Sequence, residues 1–522
     1  CHHVTVKNCK LTSGYNNSGY YIVFFAGGNT IGSDGYDHDF LTLDNNELYN
    51  SAYGIYLFGR TGGKYNNISI TNNTIGASTG KLGNMALYLY NCEDVIVRGN
   101  TIQNVEYGSS SLTAVLLSAG VRNVMFENND IHSVRASTSS SGGGACGLEI
   151  NTAENPANIT LSNNIFYNIS GSGYTAGSNR AVTGIKLSSA NGVYLYYNSV
   201  NLYGNCNRSS ATSDASYALY INGGSTGVTL KNNVFKNSLE NTTGVSTAYA
   251  IYSAAPNTNF ASIDYNNYFG GGNEGVLGFL GSARLTIADW RTATGQDIHS
   301  QNTNTYFQSN SALYVPNNSS IIGGGTPVIG ITSDYAGTLR NETIPTIGAF
   351  ETGYNPTPIG WCNLQSPGTY SKGEGTLGFD IYARVYIDGI TATAGATTDL
   401  EAYIGYSTVN TNPNTWTNWT RATFNVQSEN NDEFKLTLGE NFAQGTYYFA
   451  AKFVYKGMEP RYGGYSSGGG GFWDGTIYVS GVLTVISSTI GWCNLQHPST
   501  VTQSEGGSFT VYGRVYSDGI TT

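Results

Sequence analysis

The chain has 522 residues, a formal net charge of −10 and only 11 % charged residues, a balance that excludes a nucleic-acid backbone as a natural partner. No apolar run is long enough to span a bilayer. With 39 % hydrophobic residues, 40 tyrosines and 68 glycines, the composition is that of many short strands joined by tight turns rather than of a disordered chain.

In chain order, the first feature is a repeated phrase. Ile68-Ser69-Ile70-Thr71-Asn72-Asn73 reads as a strand ending in an asparagine turn. Val95-Ile96-Val97-Arg98-Gly99-Asn100 and Val124-Met125-Phe126-Glu127-Asn128-Asn129 repeat it, as do Ile159 to Asn164 and Val228 to Asn233. Aligned on the last turn asparagine, the series is Asn8, Asn46, Asn73, Asn100, Asn129, Asn164, Asn198, Asn233 and Asn267, at spacings of 38, 27, 27, 29, 35, 34, 35 and 34 residues. Before each stands an alternating triplet whose outer members face one way and whose middle member faces the other. A second strand, opened by a small residue, lies between successive asparagines, as in Gly54-Ile55-Tyr56-Leu57, Ala86-Leu87-Tyr88-Leu89 and Gly184-Ile185-Lys186-Leu187. A repeat of two or three strands without helical periodicity predicts a solenoid of stacked coils, about nine or more of them, in residues 1–284. At the strand spacing, nine coils would measure roughly 40 Å. Asparagine suits the bend because it tolerates left-handed backbone and its stacked amides can hydrogen-bond as a ladder.

The middle of the second strand forms a column: Tyr56, Tyr88, Leu116, Glu149, Lys186, Tyr220 and Tyr252. Glu149 and Lys186 are the candidate catalytic pair, a base beside a cation that would neutralise a uronate. Tyr56, Tyr88, Tyr220 and Tyr252 are candidate binding residues for glycans or a neighbouring subunit. The competing reading is an ordinary cross-coil ion pair on a tyrosine-rich surface. The first-strand column, Thr5, Thr42, Ser69, Ile96, Met125, Thr160, Tyr194, Thr229 and Ser262, is chemically plain. Asp34, Asp37 and Asp39 share one loop and would suit calcium, although their spacing matches no established loop motif and a solvated turn accounts for them too. The seven cysteines form no CxxC pair; buried free thiols are expected, with a Cys1–Cys9 bridge or a pair between repeats as alternatives.

This pattern resembles the right-handed parallel β-helix of secreted bacterial proteins and polysaccharide lyases. Leu285 to Trp290, Gln296 to Ser300, and Ser333 to Arg340 through Ile347 to Glu351 look like the usual end of such proteins in Bacteroidota-type bacteria. The resemblance implies that residues 285–352 complete and cap the helix, a need imposed by the open edges of a last coil.

A stiff linker follows at 353–358. Ile359-Gly360-Trp361-Cys362-Asn363-Leu364-Gln365 then recurs 131 residues later as Ile490-Gly491-Trp492-Cys493-Asn494-Leu495-Gln496. The first copy, 359–487, carries the alternation of an Ig-like β-sandwich. The second, 490–522, is a truncated start, and with an opening at Cys1 inside a strand the expectation is a piece of a longer modular chain. The module resembles sandwich domains appended to large secreted bacterial proteins, including some starch-degrading enzymes, on its Trp-x-Asn-Leu-Gln opening, Trp416-Thr417-Asn418-Trp419 and Gly445 to Ala450. An all-β architecture with this composition predicts an extracellular structural or adhesive segment, partnered by copies of itself or by surface glycans. The alternative is a carbohydrate-active β-helix enzyme, a lyase or hydrolase with accessory sandwiches.

Overall fold

The computed structural model describes residues 2–14, 22–36, 38–78, 80–108, 111–137, 143–172, 174–175, 180–206, 214–242, 244–487 and 490–517. It divides into two compact units, Cys1–Tyr354 and Asn355–Thr522.

The first unit is a right-handed parallel β-solenoid. One face is a nine-stranded parallel sheet that includes Tyr65–Thr71, Cys92–Arg98, Arg122–Glu127 and Val193–Tyr196. Its register stacks Ile68 on Val95 on Val124 on Ile159 on Val193. These inward residues are almost fully buried, and each such side chain stabilises the stack by about 1.5–3 kcal/mol. A larger sheet supplies the other two sides. Its second-face strands include Ser51–Phe58, Ala145–Asn151 and Val182–Ser189, and its third-face strands include Asp130–Ala136, Ile165–Ser170 and Val234–Glu240. The small residue expected to open a second-face strand lies inside it, as Gly184 does in Val182–Ser189, and it has a steric reason. A Cβ on Gly184 would lie 2.6 Å from Val200 Cγ1 and 2.7 Å from the Ala218 carbonyl oxygen.

The solenoid has about seven turns, fewer than the nine or more expected. Counting one coil per asparagine overcounts, because a turn closes only between two corners and the terminal corners bound partial turns.

The corner itself corrects the sequence alignment. The two properties assigned to one asparagine belong to two adjacent positions. The first takes the left-handed conformation: Asn8, Asn45, Asn72, Gly99, Asn128, Asn163, Tyr197, Asn232 and Tyr265 all have φ between 53° and 68°. The second builds the ladder. Asn46, Asn73, Asn100, Asn129, Asn164, Asn198, Asn233 and Asn266 are buried, and from Asn46 to Asn233 each Nδ2 donates to the next Oδ1 at 2.9–3.0 Å. Each backbone N–H in the same run donates to that same oxygen at 2.9–3.1 Å. Asn8 therefore precedes the ladder position, where Cys9 stands and donates its N–H to Asn46 Oδ1. Asn267 follows it, donating to the Thr303 carbonyl.

At the far end the ladder passes to a cap. Asn266 N–H donates to Ser300 Oγ at 2.8 Å, and the Ser300 hydroxyl donates to Asp297. Asp297 also accepts from Trp290 Nε1 at 2.7 Å and Tyr268 OH at 3.0 Å, and burial raises its carboxyl above the usual range. Trp290 lies on the helix Ile287–Thr294, which begins with a reciprocal Thr286–Asp289 capping box and ends at left-handed Gly295. Beyond the cap, the segment 303–354 adds isolated bridges among the described residues, rather than further coils. It runs back along the third face, with Phe307, Leu313, Val315, Ile321, Ile347 and Phe350 packed on Ile165, Tyr167 and Val234.

The second unit has two sheets sharing one core. Trp361–Ser366, Phe379–Tyr386, Asn431–Leu438 and Thr423–Ser428 form an antiparallel sheet. Leu400–Ser407, Gly445–Tyr455 and Gly481–Ile486 belong to the other. Cys362, Leu364, Ile381, Ile404, Phe449, Phe453 and Leu483 fill the space between. In the second copy, Ile490–His497 pairs with Tyr512–Ser517 and opposes Cys493 to Val515, as Cys362 opposes Val385 in the first. Such an arrangement of antiparallel sheets is that of sandwich modules.

Candidate functional site

The second-face column assembles in register. Tyr56 lies beside Tyr88, Tyr88 beside Leu116, Leu116 beside Glu149, Glu149 beside Lys186, Lys186 beside Tyr220, and Tyr220 beside Tyr252. Phe25 and Phe279 extend it at either end. Alternation placed these side chains on one outward stripe, but the stripe is closed on itself. The Tyr56 and Tyr88 rings stack at 4.4 Å and Tyr220 and Tyr252 at 5.6 Å. Relative exposure is 5 % for Tyr56, 3 % for Tyr220 and 9 % for Tyr252. Burial raises the hydroxyl pKa of all four tyrosines above their ordinary value.

Lys186 Nζ lies 3.1 Å from Glu149 Oε1, and the pair is largely buried. Ser188 Oγ donates to the same carboxylate oxygen at 2.7 Å. Two oppositely charged groups taken out of water together need this mutual satisfaction. As a catalytic pair they would offer a base held by its own counter-ion.

Of the calcium candidates, Asp37 lies outside the described residues. Asp34 accepts from the Thr61 N–H at 3.1 Å and the Thr61 hydroxyl at 2.9 Å. Asp39 accepts from the Asn66 N–H at 3.0 Å and lies 3.7 Å from His2. Each carboxylate thus ties the loop to the next turn. Among the described residues, no group of three or more His, Cys, Asp or Glu side chains could hold a metal ion. Cys92, Cys146, Cys206 and Cys362 are buried free thiols, whereas Cys493 is an exposed one; Cys1 lies outside the described residues.

Two further features were not singled out from the sequence. The first is a cluster on the third face. Asp130 and His132 share the outward parity of one strand. His132 stacks on Tyr167 at 4.7 Å with planes 11° apart, and Tyr167 OH donates to Asp130 Oδ2 at 3.4 Å. The other carboxylate oxygen, Oδ1, is buried without a hydrogen-bond partner. Burial pushes Asp130 up to about 7 and lowers His132. The Asp-x-His alternation at the start of a third-face strand was the available signal. The second is a groove of about 440 Å³ whose lining includes Asn104, Glu106, Ser133, Arg135, Asn168 and Ser170. Arg135 stands between Glu106 and Ser170 in register.

A family model described as the right handed beta helix region matches residues 1–184. Comparison with curated proteins finds no match to this chain.

Proposed function

We propose that the chain is an extracellular structural and adhesive segment, a stalk or filament-forming part of a large modular cell-surface protein. The closed second-face column carries this reading. The side chains best suited to sugar chemistry, Glu149, Lys186 and the stacked tyrosines, are spent on one another, while the corner asparagines are spent on the ladder. The fold is compatible with structural and carbohydrate-active roles alike, so the weight falls on the side chains. Secretion, the Bacteroidota-type origin, the Trp-x-Asn-Leu-Gln identity of the sandwich modules, and self-association or glycan contact are parts of the same proposal, which calls for no cofactor.

The second reading, a β-helix lyase or hydrolase, has one observation in its favour. The groove at Ser133 and Arg135 offers one cation, with Glu106 beside it in register, among amide and hydroxyl side chains, a polar lining suited to a sugar chain. Incubation of the chain with a panel of uronate and neutral polysaccharides separates the two. The structural reading expects no new reducing ends and no unsaturated products. Depolymerisation that disappears in Glu149→Gln or Arg135→Ala, with the circular dichroism of the β-helix retained, overturns it.

A further inference from the structure

The segment that runs back along the third face is held by the left-handed corner residues that the ladder leaves over. Thr326 exchanges two hydrogen bonds with Asn232, at 2.9 and 2.7 Å, and accepts from Tyr197 OH at 2.8 Å. One turn back, Asn163 Nδ2 donates to the Ser333 carbonyl at 2.9 Å and Arg340 Nη2 donates to Asn163 Oδ1 at 2.7 Å. Arg340 also lies over the Tyr197 ring at 3.7 Å and pairs with Glu351 at 3.2 Å. One turn further, Asn128 Nδ2 donates to the carbonyls of Asp334 and Tyr335 at 3.2 and 3.1 Å. The segment thus steps across four successive corners, and its contacts at Asn128 lie two residues from Asp130.

Asp130 is an anomaly there. Its Oδ1 is buried with no partner, and its Oδ2 has a single long contact with Tyr167. The other groups around it are His132 on the same strand, Tyr167 on the next turn with Tyr203 beyond it, and Tyr335 from the segment, with Tyr314 behind it; the neighbouring Asp334 carboxylate accepts from the Ala336, Thr338 and Glu351 amides. Glu127 is paired with Arg98, and Arg340 with Glu351. Among the described residues no cation is paired with Asp130, and a desolvated His132 is neutral near pH 7. A carboxylic acid suits this place; a carboxylate does not.

We propose that the segment is a proton-gated clasp: Asp130 is accommodated as the neutral acid beneath Tyr335, and its ionisation loosens the docking of residues 333–340. The sign follows from linkage. A carboxyl whose docked value is raised supports docking fully below its hydrated value near 4, and that support is lost as pH rises through about 7. The docking constant therefore falls up to tenfold per pH unit across that window. Uncovering Asp130 hydrates the carboxylate and drives the release.

Hydrogen exchange of the intact chain tests this, with protection at 333–340 corrected for intrinsic rates between pH 4 and 8. In wild type, log protection should fall across the window from about pH 4 to 7 and level off above it. Asp130→Asn, permanently neutral and nearly isosteric, should hold the acid-side protection throughout. Tyr167→Phe removes the one donor to the ionised carboxylate, raises the docked value further and should extend the loss of protection to higher pH, leaving docking weaker than wild type at about pH 7–8 and unchanged near pH 4–5. A flat wild-type profile, an unchanged transition in Asp130→Asn, which would point to His132, or a Tyr167→Phe profile identical to wild type overturns the proposal.

Discussion

Asn73→Ala tests the ladder directly. In the native corner, Asn73 Oδ1 accepts from Asn46 N–H at 2.9 Å and Asn46 Nδ2 at 3.0 Å. Its Nδ2 donates to Asn100 Oδ1 at 3.0 Å and the Leu43 carbonyl at 2.8 Å. Truncation does not strand all of these partners. Asn46 Nδ2 keeps the Val6 carbonyl, and Asn100 Oδ1 keeps the Asn73 backbone N–H. The main loss is the Asn46 backbone N–H, left buried without an acceptor, for about 1–3 kcal/mol. The lost donor to Leu43 adds roughly 1 kcal/mol. A local cost of about 3 kcal/mol corresponds to on the order of a hundredfold loss of protection. Native-state hydrogen exchange at the Asn46 amide and its neighbours is the appropriate assay, because a stacked-turn protein opens locally and a single global unfolding energy is ill-defined for it. Asn72→Gly is the control: Asn72 has φ 56° and its side chain is exposed, so glycine fits the left-handed corner and gives up one solvent-exposed hydrogen bond, from Nδ2 to Asp44 Oδ1. An Asn73→Ala effect below about 0.5 kcal/mol, or one matched by Asn72→Gly, refutes the ladder as a source of stability. Ligand binding, if any, should be unchanged by Asn73→Ala.

Two further outcomes follow from the same geometry. Gly184→Ala forces a Cβ against Val200 and the Ala218 carbonyl and should cost about 1–3 kcal/mol, seen as a lower thermal midpoint by circular dichroism. Gly223→Ala, whose Cβ would have its nearest neighbour at 3.6 Å, should be close to neutral, and equal effects would refute the packing argument. Asp44 is held down at about 2 by hydrogen bonds from Lys7 first, then Asn72 and Thr71. Its contribution is present above the hydrated value near 4 and is lost as pH falls toward 2. Lys7→Met should flatten that acid limb of the local exchange profile, and an unchanged limb would count against the pairing.

The period-two alternation and the recurring asparagines determined the all-β solenoid, because an inward triplet with an obligatory corner has few other ways to bury its apolar side. They also determined side-chain neighbours along the stack. Glu149 beside Lys186 and Tyr56 beside Tyr88 follow from parity and register alone, and the sandwich repeat follows from its duplicated opening. Which of two adjacent corner residues enters the ladder was not legible, since Asn45 and Asn46 are chemically identical and differ only in backbone angle and burial. Only the tertiary structure decided that Tyr56, Tyr220 and Tyr252 of the tyrosine stripe are buried rather than open, because exposure depends on what packs over a strand and not on the strand itself. Asp130 and the clasp belong to the same class. Its contacts join Asn128 to Tyr335 and Asn163 to Arg340 across 207 and 177 residues, and no local pattern encodes partners that distant.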